Sequence, residues 1–153
     1  MISKKRINRI RTQGYFNCND YEISKLAFGN RFAYILCTCV IIIGLVFTSK
    51  TIIATMMLIA FLGIATSYHP FDHIYNYWLR HQLKKPKLPP RSNQLKFACS
   101  IATLFLASIL FLFSNGYFLA GYIVGAVLLT SAITVSAFDF CGPSVLYNKF
   151  NKK

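Results

Sequence analysis

The feature that most limits what this chain can fold into is a set of four apolar blocks that no charged residue interrupts, at residues 32–48, 51–67, 97–113 and 117–138. A helix rises ~1.5 Å per residue, so about 17 residues reach roughly 26 Å, and flanking aromatic side chains extend that toward the ~30 Å hydrocarbon core of a bilayer. Lipid cannot hydrogen-bond a backbone, so spans must be helices or closed barrels. These blocks are longer than barrel strands and do not alternate apolar with polar residues. The first follows a basic stretch and lacks a small-residue cleavage site after it, which excludes a secretory signal. The fold class that follows is an all-α membrane protein with four transmembrane helices arranged as two antiparallel hairpins. Ser49-Lys50 closes the first hairpin and Ser114-Asn115-Gly116 the second. With 55% hydrophobic and 14% charged residues, the chain is too apolar for an ordinary soluble domain.

Charge orients the spans. Of the 17 lysines and arginines, all but Lys50 fall before residue 32, between residues 80 and 96, or after residue 148. The positive-inside rule therefore expects both termini and the central loop in the cytoplasm. The chain divides accordingly into a basic N-terminal segment (1–31), a first transmembrane hairpin (32–67), a cytoplasmic loop (68–96), a second hairpin (97–140) and a cytoplasmic tail (141–153). A net charge of +13 would point to nucleic acid in a soluble protein. Here the basic residues stand where the topology rule and anionic headgroups both favour them, and no nucleic-acid module accompanies them. The expected partner is membrane lipid, not nucleic acid.

The central loop carries structure of its own. Phe71, Ile74, Tyr75, Trp78 and Leu79 recur at i, i+3, i+4, i+7 and i+8, with Asp72, His73, Asn76 and Arg80 on the other face. Pro70 suits a first helical position and Pro86 ends the run. The pattern predicts an amphipathic helix in the headgroup layer, with these apolar residues as its membrane-interface face; a docking surface for a protein partner is the other reading. Residues 84–91, with Pro86, Pro89 and Pro90, read as a stiff, solvated linker into the third span. In the fourth span, Gly121 and Gly125 form a G-x-x-x-G pair for close helix packing, within the chain or in a homodimer.

Cysteine is the residue type on which chemistry would rest. Cys18, Cys37, Cys39, Cys99 and Cys141 lie on the cytoplasmic side or within spans, where structural disulfides are not expected. Cys37 and Cys39 stand about 200° apart around a helix and cannot share a ligand. Cys99 opens the third span and Cys141 closes the fourth, which places these candidate thiols at similar depth. Cys141 precedes Gly142-Pro143-Ser144, a C-x-x-S spacing at the start of a helical run, where unpaired amides can stabilise a thiolate and Asp139 opposes it. An inert interfacial cysteine is the alternative. His69 and His73, four apart, could begin a metal site, but their place on the polar helix face accounts for them without one. No phosphate loop, carboxylate pair or serine triad is present, and no cofactor is expected.

Several stretches together resemble a known family. Tyr68-His69-Pro70-Phe71-Asp72-His73-Ile74-Tyr75-Asn76, the proline-rich segment after it, Phe97-Ala98-Cys99-Ser100-Ile101-Ala102-Thr103, and Asp139-Phe140-Cys141-Gly142-Pro143-Ser144 with Tyr147-Asn148 are similar, in order and spacing, to the bacterial integral membrane family called domain of unknown function 4395. The resemblance covers most of the chain from about Cys18 onward. It implies a small bacterial inner-membrane protein with four spans and no established activity, in which cysteines recur at the cytoplasmic ends of the last two spans. It also implies an association with sulfur-transfer or thioredoxin-like proteins. The carry-over concerns Cys99 and Cys141 only. The Gly142-Pro143-Ser144 continuation differs from members that place a second cysteine here, so a vicinal dithiol mechanism does not carry over.

Two functions from different classes compete. One is a non-enzymatic module that organises lipid or a protein partner at the cytoplasmic face. The other is a cytoplasm-facing thiol or persulfide relay linked to sulfur or redox metabolism. The spans lack the ionisable residues that would mark a transport path.

Overall fold

The computed structural model describes residues 2–151; Lys152 and Lys153, counted above in the basic tail, lie outside them. Among the described residues all regular structure is helical. Helix α1 (Lys4–Arg11) is capped by the Ser3 hydroxyl, which accepts from the Arg6 amide, and it buries Ile7 and Ile10. Helix α2 (Asp20–Val46) begins well before the first apolar block, because Asn19 and Glu22 form a reciprocal capping box. The end of the basic 1–31 segment is therefore the first part of a long helix. Helices α3 (Lys50–Ala65), α6 (Asn93–Ser114), α7 (Phe118–Phe138) and α8 (Gly142–Phe150) follow the remaining apolar blocks and the tail.

Three helices, α2, α6 and α7, are long and apolar enough to cross a membrane. With 16 residues, α3 reaches only about 24 Å. It makes a fourth candidate span if taken together with residues 70–82, to which the chain bends by 78°. Packing of α2 on α3 and α7, and of α6 on α3 and α7, closes a ring of contacts around Ile53, Met56, Leu106, Ile109 and Phe113. Outward, the same helices expose large apolar side chains, among them Val46, Leu58, Leu104, Phe111 and Leu119. Gly121 and Gly125 serve contacts inside this ring. A Cβ on the first would lie 2.5 Å from the Phe113 ring of α6, and one on the second 2.6 Å from Leu45 of α2.

A second core, including Ile7, Ile10, Ile23, Tyr75, Leu88 and Leu95, lies where α1, the 70–92 segment and the start of α2 gather into a cap on one end of the bundle. Residues 70–82 form α4 (Pro70–Ile74), a π-helical turn (Tyr75–Leu79) and α5 (Arg80–Gln82), with Pro70 in the first turn. Their faces differ from the predicted ones. The buried face runs through Asp72, Tyr75 and Asn76 to half-buried Leu79, a regular helical spacing rotated from the predicted stripe, and the segment packs on α2 instead of lying free. Tyr75 is thus no interface residue but fully buried: its ring fills a notch at Gly29, where a Cβ would be 2.5 Å away, and packs near Phe28 and Phe32. Asp72 and Asn76, assigned to the solvated face, are buried as well. Ile74 and Trp78 remain exposed, and Phe71 and Leu79 are half-buried. The proline-rich segment is exposed from Lys84 to Lys87, as a solvated linker would be, but its end is held down. The Leu88 amide donates to the Asn76 side chain at 2.9 Å, and the Arg91 amide donates to the Ser67 carbonyl at 2.8 Å, strapping the segment down.

Asp139 ends α7 in a left-handed conformation (φ 55°) and is fully buried. Its carboxylate accepts from Arg6 of α1 and from Arg31 of α2, the latter at 2.7 and 2.8 Å. Its carbonyl accepts from the Gln13 amide group at 2.8 Å. A carboxylate taken out of water requires such partners, so the end of α7 and the N-terminal elements are tied together. Asp139→Asn leaves both guanidinium groups without their counter-charge and should lower the stability of the detergent-solubilised protein by about 2 kcal/mol. Asp20→Asn, at the exposed pair with Arg11, should cost about 0–1 kcal/mol. Denaturant unfolding followed by circular dichroism compares the two variants; equal losses would contradict the role assigned to Asp139.

Candidate functional site

At the junction of the two cores lies a cavity of about 120 Å³. Tyr34 and Cys37 of α2, Met56 of α3, Cys99 and Phe105 of α6 and Leu128 of α7 line it, and His69, Arg91 and Cys141 reach it from the connections. The polar groups come from the cap side and the aliphatic groups from the bundle core. Cys39 lies on the exposed side of α2, as the angular offset from Cys37 requires, and Cys18 is not part of the lining. All five cysteines are free.

Arg91 is delivered here by the proline-rich strap. Its guanidinium donates to Asp72 at 2.8 and 3.4 Å and to the Cys99 sulfur at 3.3 Å, and it lies 6.0 Å from the centre of the Tyr34 ring. Both partners of the ion pair are less than a tenth exposed. Burial works to lower the Arg91 pKa, but the Asp72 carboxylate more than offsets it and holds the guanidinium charged. Asp72 also acts within its own helix. As the third residue of α4 it accepts the His69 amide at 3.0 Å, completing a capping box. One carboxylate therefore both starts α4 and neutralises Arg91.

His69 turns inward, and a Cβ at Gly63 would sit 2.6 Å from its ring. Burial, reinforced by the Arg91 charge and opposed by Asp72, pushes the imidazole down to about 3, so it is neutral at physiological pH. Its Nδ1 accepts the Phe71 amide at 3.3 Å, which leaves the proton on Nε2, 4.0 Å from the Cys37 sulfur. His73 instead stacks on Tyr77 at the surface. The two histidines therefore do not converge, and among the described residues no cluster of three His, Cys, Asp or Glu side chains could hold a metal.

Cys99 and Cys141 both line the cavity, and Cys141, just before α8, is buried instead of open to solvent. It is 2% exposed, and burial pushes its thiol up despite the Ser144 hydroxyl donating to the sulfur at 3.0 Å. The opposing charge expected from Asp139 is already matched by Arg6 and Arg31. Sequence reasoning missed Tyr34, whose hydroxyl is buried without a hydrogen-bond partner among the described residues. It also missed the Asp72–Arg91 pair. A signal for the pair was available: with four acids in the chain, an Asp three residues after a cap position and next to a proline start is a conspicuous placement.

Residues 28–152 match the family described as Domain of unknown function (DUF4395). The chain belongs to this family. The DUF4395 match takes in every residue that lines the cavity and leaves out α1. No curated protein and no solved structure matches the chain.

Two outcomes check this geometry. Gly63→Ala would press a methyl group against His69 and the Cys99 sulfur, 3.1 Å away, and should destabilise by about 1–3 kcal/mol. Gly142→Ala meets open space and should stay within about 0.5 kcal/mol of the parent in the same unfolding measurement. Because the Cys141 pKa is raised, its thiolate fraction at any pH from 7 to 9 falls below that of an ordinary thiol. Iodoacetamide labelling read by mass spectrometry should show it reacting more slowly than a cysteine in an unstructured peptide throughout that range, and faster reaction would contradict this.

Proposed function

We propose that the protein is a non-enzymatic, multi-pass module of the bacterial inner membrane whose cavity receives a small molecule beneath a cytoplasmic cap. In this reading α2, α3, α6 and α7 cross the bilayer as two hairpins, with both termini, α4, α5 and α8 on the cytoplasmic side. The observation that carries the ligand reading is the cavity at the junction of two otherwise packed cores. It is a partly open pocket of about 120 Å³ between helices that could otherwise close up on it, and a resident molecule accounts for its being kept. The orientation is supported by the basic residues around the cap, since α1 alone contributes Lys4, Lys5, Arg6, Arg9 and Arg11. Contact with lipid headgroups is supported by exposed Tyr77, Trp78 and Leu83 beside exposed Lys84, Lys85 and Lys87. With Gly121 and Gly125 packed against Phe113 and Leu45, the reading does not require a homodimer.

A thiol or persulfide relay is the second reading, favoured by Cys37, Cys99 and Cys141 facing one cavity. The raised Cys141 pKa counts against it in this state. Native mass spectrometry of protein purified in mild detergent separates the two. Binding by a small molecule predicts a bound mass that survives replacement of Cys99 and Cys141 by Ala. A relay predicts sulfur adducts on those cysteines that disappear with them. Protein free of both in detergent and in nanodiscs would overturn the ligand reading.

For topology, Asn115→Cys should label with a membrane-impermeant maleimide in intact cells, and Lys84→Cys only after permeabilisation. The reverse pattern would overturn the orientation.

A further inference from the structure

The chemical class of the ligand follows from which polar groups around the cavity are already committed, and this inference rests on the reading of the cavity as a ligand site. Arg91 is matched by Asp72 and also donates to Cys99. His69 is held between the Phe71 amide and Cys37, and the Cys141 sulfur takes the Ser144 hydroxyl. The charges at the polar end therefore cancel, and the rest of the lining is mainly aliphatic and aromatic. An ion entering such a site would lose its hydration with no unspent counter-charge to meet it, so the occupant is neutral. Among the buried side-chain nitrogen and oxygen atoms of the described residues, one has no hydrogen-bond partner. It is the hydroxyl of Tyr34, a residue of the cavity lining whose ring lies 6.0 Å from the Arg91 guanidinium. An apolar cavity of roughly 150 Å³ holds benzene, so this pocket of about 120 Å³, partly open between the helices, sets one six-membered ring as the upper size of its occupant.

We propose that the cavity binds a neutral, ring-sized, largely apolar molecule carrying a single carbonyl acceptor, which receives a hydrogen bond from the Tyr34 hydroxyl. Tyr34 then selects the ligand's oxygen and the aliphatic wall accepts the ring. Specificity of this kind comes from one buried donor that only an acceptor-bearing ligand can satisfy.

Met56 lines the cavity and its neighbour Met57 does not, so methionine methyl groups give a probe and an internal reference in one chain. The full protein, labelled with ¹³C at the methionine methyl groups, is titrated in detergent with cyclohexanone and separately with methylcyclohexane. Cyclohexanone should shift the Met56 methyl resonance saturably, with half-saturation at a concentration about tenfold lower in the parent protein than in Tyr34→Phe. Methylcyclohexane should bind both proteins alike, and Met57 should move in neither titration. Tyr34→Phe removes an unpaired buried oxygen and no hydrogen bond, so it should fold at least as stably as the parent. Equal cyclohexanone affinity for the parent and Tyr34→Phe would overturn the ligand class while leaving the cavity a binding site. A Met56 resonance that neither compound moves, or that moves only together with Met57, would overturn both.

Discussion

A carboxylate and a guanidinium, each almost wholly removed from solvent, hold the cap to the bundle: Asp72 and Arg91, 2.8 Å apart. Either charge alone would be destabilising by several kcal/mol, so neither residue can be placed without the other. The pair also reaches outward. Asp72 caps α4 through the His69 amide, while Arg91 contacts Cys99 on α6 and lies near the Tyr34 ring of α2. The start of α4, the end of the proline-rich strap and two helices of the bundle are positioned by one ion pair. Asp139 does likewise at the other edge of the cap, joining the end of α7 to α1 and α2 through Arg6 and Arg31.

The cavity follows from this arrangement. In the bundle core, large aliphatic and aromatic residues such as Met56, Leu106 and Phe113 fill the space between helices. In the cap core, α1 and the buried Tyr75 pack against the start of α2. Between them, a rigid polar layer of Asp72, Arg91 and His69 forms a roof that cannot sink into an apolar interior, because doing so would strip its hydrogen bonds. Small residues below it, including Ala60, Ala98 and Ala102, leave the space unfilled.

Hydropathy made most of the bundle legible. The uninterrupted blocks located α2, α3, α6 and α7, and the spacing of small residues found Gly121 and Gly125, whose neighbours are within the chain. The start of α2 was legible too, through the Asn19–Glu22 capping signature, but the boundary drawn at the first apolar residue overrode it. Tyr75 was misplaced because the apolar residues were read as one membrane-facing stripe, whereas the buried face also takes in Asp72 and Asn76, whose partners Arg91 and Leu88 come from later in the chain. Cys99 and Cys141 line one cavity, as their places near the ends of two apolar blocks allow, whereas the burial around Cys141 had no local signal. A helix N-terminus favours a thiolate, but the burial that opposes it comes from neighbours distant in sequence. Tyr34 was invisible for the same reason: an unpaired hydroxyl is a property of its surroundings, not of a motif.

The most direct test of the capped, ligand-holding bundle is an experimental structure of the full chain in a lipid nanodisc. In it, α2, α3, α6 and α7 should all cross the bilayer, the Asp72–Arg91 layer should sit at one headgroup boundary, and non-protein density should occupy the cavity against the Tyr34 hydroxyl. An α3 that turns back without reaching the opposite leaflet, together with a collapsed cavity in which Tyr34 bonds to the protein itself, would contradict it.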